Sequence, residues 1–223
     1  MTAEPRIEVL PDADAVARRA AEFVAERARA AAADHGRFTF AVSGGHTPWA
    51  MFAHLADEDV PWGQTSVYQV DERVAPAGDP DRNLAHLQES LPAQTEAEVH
   101  PMPVEEEDLD AAAARYAVSL PERFDLIHLG LGPDGHTASL VPGDPVLEVV
   151  DRDVGLTDVY MGRRRMTLTY PTLDRAVQVL WLVTGADKVD ALGRLRAGDR
   201  SIPAGRVSAA DALIIADAAA AGR

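Results

Sequence analysis

The stretch from Phe124 to Gly143 constrains the fold of this chain more than any other part of its sequence. It opens with a nearly continuous apolar run that reaches Gly130, a pattern typical of a strand buried on both faces of a parallel sheet. Turn residues follow at 132–135, where glycines allow the backbone to approach a ligand closely. His136 comes next, and a histidine accepts protons near neutral pH. On its own, the segment is better explained as a tight turn with a surface histidine.

Strand-like and helix-like segments alternate along the whole chain, without a linker or a repeat. The first helix, Asp12–Asp34, has Asp12 as its predicted N-cap and Gly36 as its stop. Further helices are predicted from Thr47 onward and over 83–91, 105–119 and 188–196. Strands are predicted over 38–42, 65–70, 99–103, 124–130, 154–159, 166–170, 177–183 and 213–215. This alternation predicts a single layered α/β domain over residues 1–223 with a mostly parallel sheet.

The net charge of −15 excludes broad classes of partner. Nucleic acid and anionic membranes both require a basic face, so neither is an expected partner. The sequence contains no membrane-length apolar run, its first ten residues do not predict a signal peptide, and it has no cysteine for disulfides or thiolate chemistry. We therefore expect a cytoplasmic, monomeric protein, which would bind an anionic small molecule only by gathering its few cations in one place.

A second glycine-containing loop follows the predicted strand at 38–42 and reads Ser43-Gly44-Gly45-His46-Thr47-Pro48. Thr47 is predicted to cap a helix with Pro48 in its first position. A strand, a glycine pair and a helix N-terminus together present backbone N–H groups to a phosphate. The loop matches neither a P-loop nor a GxGxxG fingerprint, and an ordinary βα turn explains it about as well.

Charged residues follow two further predicted strands, at Asp71–Arg73 and at Thr184–Lys188. Because parallel strands end at one edge of a sheet, these residues are expected beside His136 and the glycine pair. Arg163–Arg165 precede a strand and are expected to reach the same edge from a loop. Lys188 is the single lysine of the chain, and every other cationic side chain is arginine. This usage indicates that a compact ammonium group is needed at that position.

These motifs resemble those of the 6-phosphogluconolactonase family, in the same order and over roughly residues 40 to 190. The most specific is Gly132-Pro133-Asp134-Gly135-His136-Thr137-Ala138-Ser139-Leu140; the others are Ser43–Pro48, Asp71–Arg73, Arg165–Thr169 and Gly185–Lys188. The resemblance implies a Rossmann-like α/β/α fold. It also implies hydrolysis of 6-phospho-D-glucono-1,5-lactone to 6-phosphogluconate, without metal or cofactor.

The resemblance and the chemistry of the side chains together predict their roles. His136 is the predicted general base, and Asp71 is predicted to orient the water or a substrate hydroxyl. The substrate, and in particular its 6-phosphate, is expected to be bound by the following residues: Ser43, Gly44, Gly45, Thr47, Arg73, Asp134, Gly135, Arg165 and Lys188.

The chain departs from the family pattern at His46, Arg82 and Val141, where a small hydroxyl residue, serine and phenylalanine are usual. His46 and Arg82 are expected either to contact substrate or to point outward. Among the other histidines, His128 is expected to be buried, and His35, His54, His86 and His100 to face solvent.

The sequence disfavours three alternative functions, each for want of a required feature. A glucosamine-6-phosphate deaminase shares the Asp-Gly-His motif but has a glutamate shortly after it, where this chain has Leu140-Val141-Pro142-Gly143. A non-catalytic sugar-phosphate sensor would carry a DNA-binding module, and the acidic composition and single alanine-rich first helix make none expected here. A metal hydrolase built on Asp71, Asp134 and His136 lacks a cluster with ligand spacing.

Overall fold

The computed structural model describes residues 5–91 and 95–223. Within that part of the chain, the α-helices are α1 Ala13–His35, α2 His46–Leu55, α3 Asn83–Ser90, α4 Leu109–Ser119, α5 Tyr170–Asp174 and α6 Val189–Arg196. The strands are β1 Arg6–Leu10, β2 Phe38–Val42, β3 Thr65–Gln69, β4 Asp71–Arg73, β5 Glu98–His100, β6 Leu126–Gly130, β7 Val154–Leu156, β8 Arg165–Leu168, β9 Val179–Val183 and β10 Ala212–Asp217.

Seven strands form one sheet in the order β1-β10-β9-β6-β2-β3-β5, and every neighbouring pair runs parallel. The central strands β2 and β9 are buried throughout, as their apolar runs predict. The predicted parallel α/β architecture is therefore confirmed. Strand β1 was not predicted, because this edge strand is only half-buried and lacks a continuous apolar run.

Helices cover both faces of this sheet, each over its own apolar core. Helices α1 and α2 pack with Phe38 and Phe40 of β2 on one face. On the other face, α4 and α6 pack with Leu129 of β6 and with Met166 and Leu168 of β8. Because both faces are covered, ligands can reach the sheet only at its ends. No helix in the described ranges is long and apolar enough to cross a membrane.

A second, three-stranded antiparallel sheet, in the order β4-β8-β7, is a feature that the sequence did not predict. Strand β4 starts directly beyond the end of β3, so the charges of Asp71–Arg73 belong to a strand rather than to a loop. Its register pairs Asp71 with Thr167 and Arg73 with Arg165. The small sheet thus brings together two arginines that are far apart in the sequence.

Helix α1 confirms its predicted ends, since the side chain of Asp12 accepts a hydrogen bond from the Ala15 N–H and Gly36 is left-handed at φ 82°. Helix α2 corrects its prediction: it starts at His46 after Gly45, and Thr47 makes no cap. The Thr47 hydroxyl instead bonds the Thr184 hydroxyl at 2.9 Å, which ties α2 to the end of β9.

Other predicted boundaries also differ, and two of them have a clear physical reason. Pro171 does not stop a strand but lies in the first turn of α5, where its missing N–H costs no hydrogen bond. Helix α4 starts at Leu109 behind the N-cap Asp108, so the acids from Glu105 onward precede it. Glu105 pairs with the guanidinium of Arg82 rather than lying in a helical turn.

Candidate active site

A cavity of about 350 Å³ opens at the carboxyl edge of the main sheet, beside the small antiparallel sheet. The structure places most of the predicted site residues in its wall: Ser43, Gly44, Gly45, Thr47, Asp71, Arg73, His136, Arg165 and Lys188. Asp134 and Gly135 do not line the cavity. Residues that sequence reasoning did not assign to the site also line it, among them Asn83 and Thr184.

The loop Leu131–His136, here called the histidine loop, leaves β6 as a tight turn. The Gly132 N–H donates to the carbonyl of His136 at 2.8 Å, and the Gly135 N–H donates to the carbonyl of Gly132 at 3.0 Å. A Cβ atom on Gly132 would lie 2.1 Å from Nδ1 of His136, and one on Gly135 would lie 2.6 Å from Cβ of Ile202. Both glycines are therefore required by close contacts.

The imidazole of His136 is held by Asp134, whose Oδ1 lies 2.6 Å from Nδ1 of the ring. The same oxygen accepts the backbone N–H of His136 at 3.1 Å. Partial burial works to raise the pKa of the Asp134 carboxyl, but these hydrogen bonds and the nearby imidazole outweigh it and lower that pKa. An ionised Asp134 favours a proton on Nδ1, which leaves Nε2 as the acceptor.

Asp71 is buried at the start of β4, and its Oδ2 accepts a hydrogen bond of 2.6 Å from the hydroxyl of Ser139. Burial raises the pKa of Asp71, against the lowering effects of the Ser139 bond and of Arg73 and Arg165. Ser139 comes from the segment that follows His136. The hydrogen bond therefore joins the two predicted catalytic segments across the sheets.

Arg73 is fixed by a hydrogen-bond network at the N-terminus of α3. Its Nη1 donates to the side-chain oxygen of Asn83 at 2.8 Å and to the carbonyl of Asp81 at 2.6 Å. The carboxylate of Glu72, fully buried, accepts the backbone N–H groups of Arg73, Asn83 and Leu84 at 2.7 to 2.8 Å. This buried carboxylate caps α3 and sets the position of both Arg73 and Asn83.

Two further cations reach the cavity from different elements. Arg165 is buried on β8, and its Nε has no hydrogen-bond partner among the described residues. Lys188, at the start of α6, has 19% of its side chain exposed and pairs with Asp187 at 2.9 Å. With Arg73 they concentrate positive charge in the wall of a protein whose net charge is −15. Such a site favours an anionic ligand.

The segment Ser43–His46, here called the glycine-pair loop, adds backbone donors to the same cavity. Gly45 has φ 137°, a conformation that favours glycine, and the first N–H groups of α2 follow it. A Cβ atom on Gly44 would lie 1.9 Å from Oδ1 of Asn83, so this loop packs directly against the side chain that holds Arg73. His46 is exposed and lines the cavity.

Three other residues singled out in the sequence, His128, Arg82 and His100, pack against neighbouring residues of the protein. His128 is buried as predicted; its Nδ1 accepts the Ser43 N–H at 3.3 Å, and burial lowers its pKa to about 3. Arg82 neither contacts the cavity nor points outward: it is buried and pairs with Glu72 and Glu105. His100 does not face solvent fully, because its ring stacks on Tyr68 with centroids 4.1 Å apart.

The donor atoms of the site do not form a metal-binding cluster. Among residues 5–91 and 95–223, no group of three or more His, Asp or Glu side chains is arranged to hold a metal ion. Asp71 and His136 line the cavity, but Asp134 contacts the ring nitrogen of His136 instead. The site instead combines a histidine, a buried carboxylate and a wall of cations that can bind an anion.

Comparison with known proteins shows similar sequences and structures over nearly the whole chain. The family model described as glucosamine-6-phosphate isomerases/6-phosphogluconolactonase matches residues 11–215. A 6-phosphogluconolactonase from Synechocystis sp. is 40% identical in an alignment that covers 86% of this chain and 85% of the relative. One from Mycobacterium tuberculosis is 32% identical in an alignment that covers 97% of each.

Solved structures show the same fold. A 6-phosphogluconolactonase from Thermotoga maritima has a TM-score of 0.86 at 25% identity, covering 96% of this chain and 99% of that one. A monomeric glucosamine-6-phosphate deaminase has a TM-score of 0.85 at 17% identity, covering 97% and 99%. The fold is thus common to lactonases and deaminases, and the activity has to be argued from the site.

Proposed function

The chain belongs to the glucosamine-6-phosphate isomerase/6-phosphogluconolactonase family, and from this premise we propose that it hydrolyses 6-phospho-D-glucono-1,5-lactone to 6-phospho-D-gluconate. The observation that carries the proposal is the position of His136, oriented by Asp134 at 2.6 Å, in one cavity wall with Arg73, Arg165 and Lys188. A base that can activate water faces the same space as cations for a phosphate.

His136 acts as the general base in this proposal. Asp134 holds the proton on Nδ1, so Nε2 takes a proton from a water molecule as that water attacks the lactone carbonyl carbon. The tetrahedral intermediate then collapses by breaking the bond from this carbon to the ring oxygen. The imidazolium returns its proton to the departing oxygen, which becomes the 5-hydroxyl of the product. Asp134 positions His136 and does not touch the substrate.

The 6-phosphate is bound by Arg73, Arg165 and Lys188 together with the N–H groups of the glycine-pair loop. Asp71 accepts a hydrogen bond from a substrate hydroxyl or from the water. Its Oδ2 is already engaged by Ser139, so Oδ1 is the oxygen that remains for a ligand. Asn83 approaches this oxygen at only 3.5 Å, which leaves it weakly engaged.

Deamination is disfavoured by the composition of the cavity wall. Asp71 is the one carboxylate among the described residues that line it. The position aligned with the deaminase glutamate is held by Val141, which is buried. Ring opening and proton transfer in a deaminase need a further carboxylate there, and this chain supplies an apolar side chain instead.

A spectrophotometric assay tests the proposal. The protein is incubated with 6-phosphogluconolactone and, separately, with glucosamine 6-phosphate, each with and without a chelator. We expect lactone hydrolysis well above the spontaneous rate, unchanged by chelator, and no release of ammonia. Ammonia release, or hydrolysis lost on chelation and restored by a metal, would contradict the assignment.

We further propose that residues 1–223 act as one metal-free, cytoplasmic, monomeric domain. The pairing of β1 with β10 supports the single domain, because strands near the two ends of the chain lie side by side in one sheet. Light scattering of the purified protein tests the monomer. Cooperative unfolding in a single transition tests the single domain.

A further inference from the structure

The hairpin between β7 and β8 places the ring of Tyr160 against two residues of the proposed site. The Tyr160 and His136 rings have centroids 5.9 Å apart at an angle of 64°. Tyr160 also contacts Arg165, whose Cζ lies 5.0 Å from the centroid of the tyrosine ring in cation–π geometry. One aromatic ring thus contacts both the proposed base and a proposed phosphate ligand.

The backbone holds Tyr160 firmly in this position. Tyr160 and Arg163 exchange backbone hydrogen bonds of 3.0 and 3.3 Å around the left-handed pair Met161 and Gly162, at φ 49° and 82°. This is the geometry of a tight hairpin turn. The tip of the hairpin is therefore a defined turn that fixes the backbone from which the tyrosine side chain projects.

The same tip is fastened to the loop beside Arg73. Nη2 of Arg163 donates to the carboxylates of Asp79 and Asp81 at 2.9 and 3.1 Å. The carbonyl of Asp81 in turn accepts a hydrogen bond from Arg73. The hairpin is thus linked to the element that places a second proposed phosphate ligand.

We propose that Tyr160 is a positioning residue that holds the imidazole of His136 and the guanidinium of Arg165 in their working places at once. The proposal rests on the proposed function, and it extends that function to a residue outside the wall of the cavity. Asp134 fixes one side of the imidazole, and the tyrosine ring fixes another. For Arg165, whose Nε has no partner among the described residues, the ring is the contact that orients the guanidinium plane.

The ring, rather than the hydroxyl, carries this role, since both contacts are made to the aromatic face or edge. Loss of the ring would let the imidazole turn away from its attack position, and a displacement of about 1 Å costs up to about 100-fold in rate. It would also free the guanidinium, which weakens the binding of a phosphorylated substrate only. The first effect lowers kcat, and the second raises KM, so kinetics can separate them.

The variants Tyr160→Phe and Tyr160→Leu test this role on 6-phosphogluconolactone and on unphosphorylated gluconolactone. We expect Tyr160→Phe to stay within about twofold of the native enzyme. For Tyr160→Leu we expect kcat to fall about 10- to 100-fold on both substrates, and KM to rise only for the phosphorylated one. Val159→Ala, an exposed neighbour on the same hairpin, is the matched control and should change neither value.

Equal losses in Tyr160→Phe and Tyr160→Leu would assign the role to the hydroxyl and overturn the proposal, as would unchanged kinetics in Tyr160→Leu. If Tyr160→Leu fails to fold, nuclear Overhauser contacts between the His136 and Tyr160 rings decide the question in the native protein: their presence supports the role and their absence overturns it. If the native protein does not hydrolyse lactone, the proposed function fails by itself. Titration with inorganic phosphate then tests whether Tyr160→Leu, compared with Tyr160→Phe, weakens anion binding through Arg165.

Discussion

The glycine-pair loop and the histidine loop leave neighbouring parallel strands at the same edge of the sheet, and each ends in a histidine. They differ in what holds that histidine. His136 is fixed at Nδ1 by Asp134 at 2.6 Å, in a turn closed by its own backbone hydrogen bonds. His46 is exposed, and its side chain makes no hydrogen bond to the described residues. In the proposed mechanism the histidine loop supplies a base, whose side chain has a fixed partner, and the glycine-pair loop supplies backbone donors, which need none.

The largest effect is expected where the proposed base itself is removed. His136→Ala should reduce lactone hydrolysis by about 10²- to 10⁴-fold, to the spontaneous background, because no other group replaces a positioned proton acceptor. Binding of the product 6-phosphogluconate should persist, since the cations of the wall remain. Calorimetric titration beside the kinetic assay measures both. Native turnover in this variant would remove His136 from the chemistry.

Removing the partner of the base should have a smaller effect. Asp134→Asn keeps a side chain of the same size but no longer favours a proton on Nδ1, so a fraction of His136 presents the wrong nitrogen to the water. We expect kcat to fall about 10- to 100-fold with little change in KM. Asp187→Asn, which alters the carboxylate beside Lys188 instead, is the control. A drop in kcat with Asp187→Asn as large as with Asp134→Asn would show that the loss is general.

Lys188→Ala tests the proposed binding of the substrate phosphate. Losing one charge-assisted contact, which contributes about 1.5 to 3 kcal/mol, should raise KM for the phosphorylated lactone by about tenfold or more. Hydrolysis of unphosphorylated gluconolactone should hardly change, because that substrate has no group for the ammonium. Lys188→Arg should restore part of the loss. Similar losses on both substrates would place Lys188 outside the phosphate site.

The sequence predicted the layered fold well because that information is local. Apolar runs such as 38–42 and 179–183 mark buried parallel strands directly, and Asp12 and Gly36 mark the ends of a helix. The edge strand β1 and the small antiparallel sheet were not predicted. A half-exposed strand and the polar strand β4 have no apolar periodicity to reveal them.

The candidate site was predicted as far as chain order allows. Residues that follow strands were identified, since parallel strands end at one edge. The contacts of Glu72, Asn83 and Tyr160 were not predicted because each joins segments that are distant in the sequence. The pairing of Arg73 with Arg165 across β4 and β8 brings those segments together, and no local pattern encodes that register.

The smallest effect is expected at His46, whose side chain makes no hydrogen bond to the described residues. His46 stands at the first position of α2, where the family commonly has a small hydroxyl residue, and the anion-binding groups beside it are backbone N–H groups. His46→Ala removes the imidazole and keeps that backbone, so kcat and KM for the phosphorylated lactone should stay within about threefold of native values. His46→Ser provides the matched family-like variant and should behave in the same way. A rise in KM as large as that of Lys188→Ala, absent with unphosphorylated gluconolactone, would show that the imidazole binds phosphate after all. The histidine side chains of both the glycine-pair loop and the histidine loop would then act on the substrate, one by binding phosphate and the other as the base.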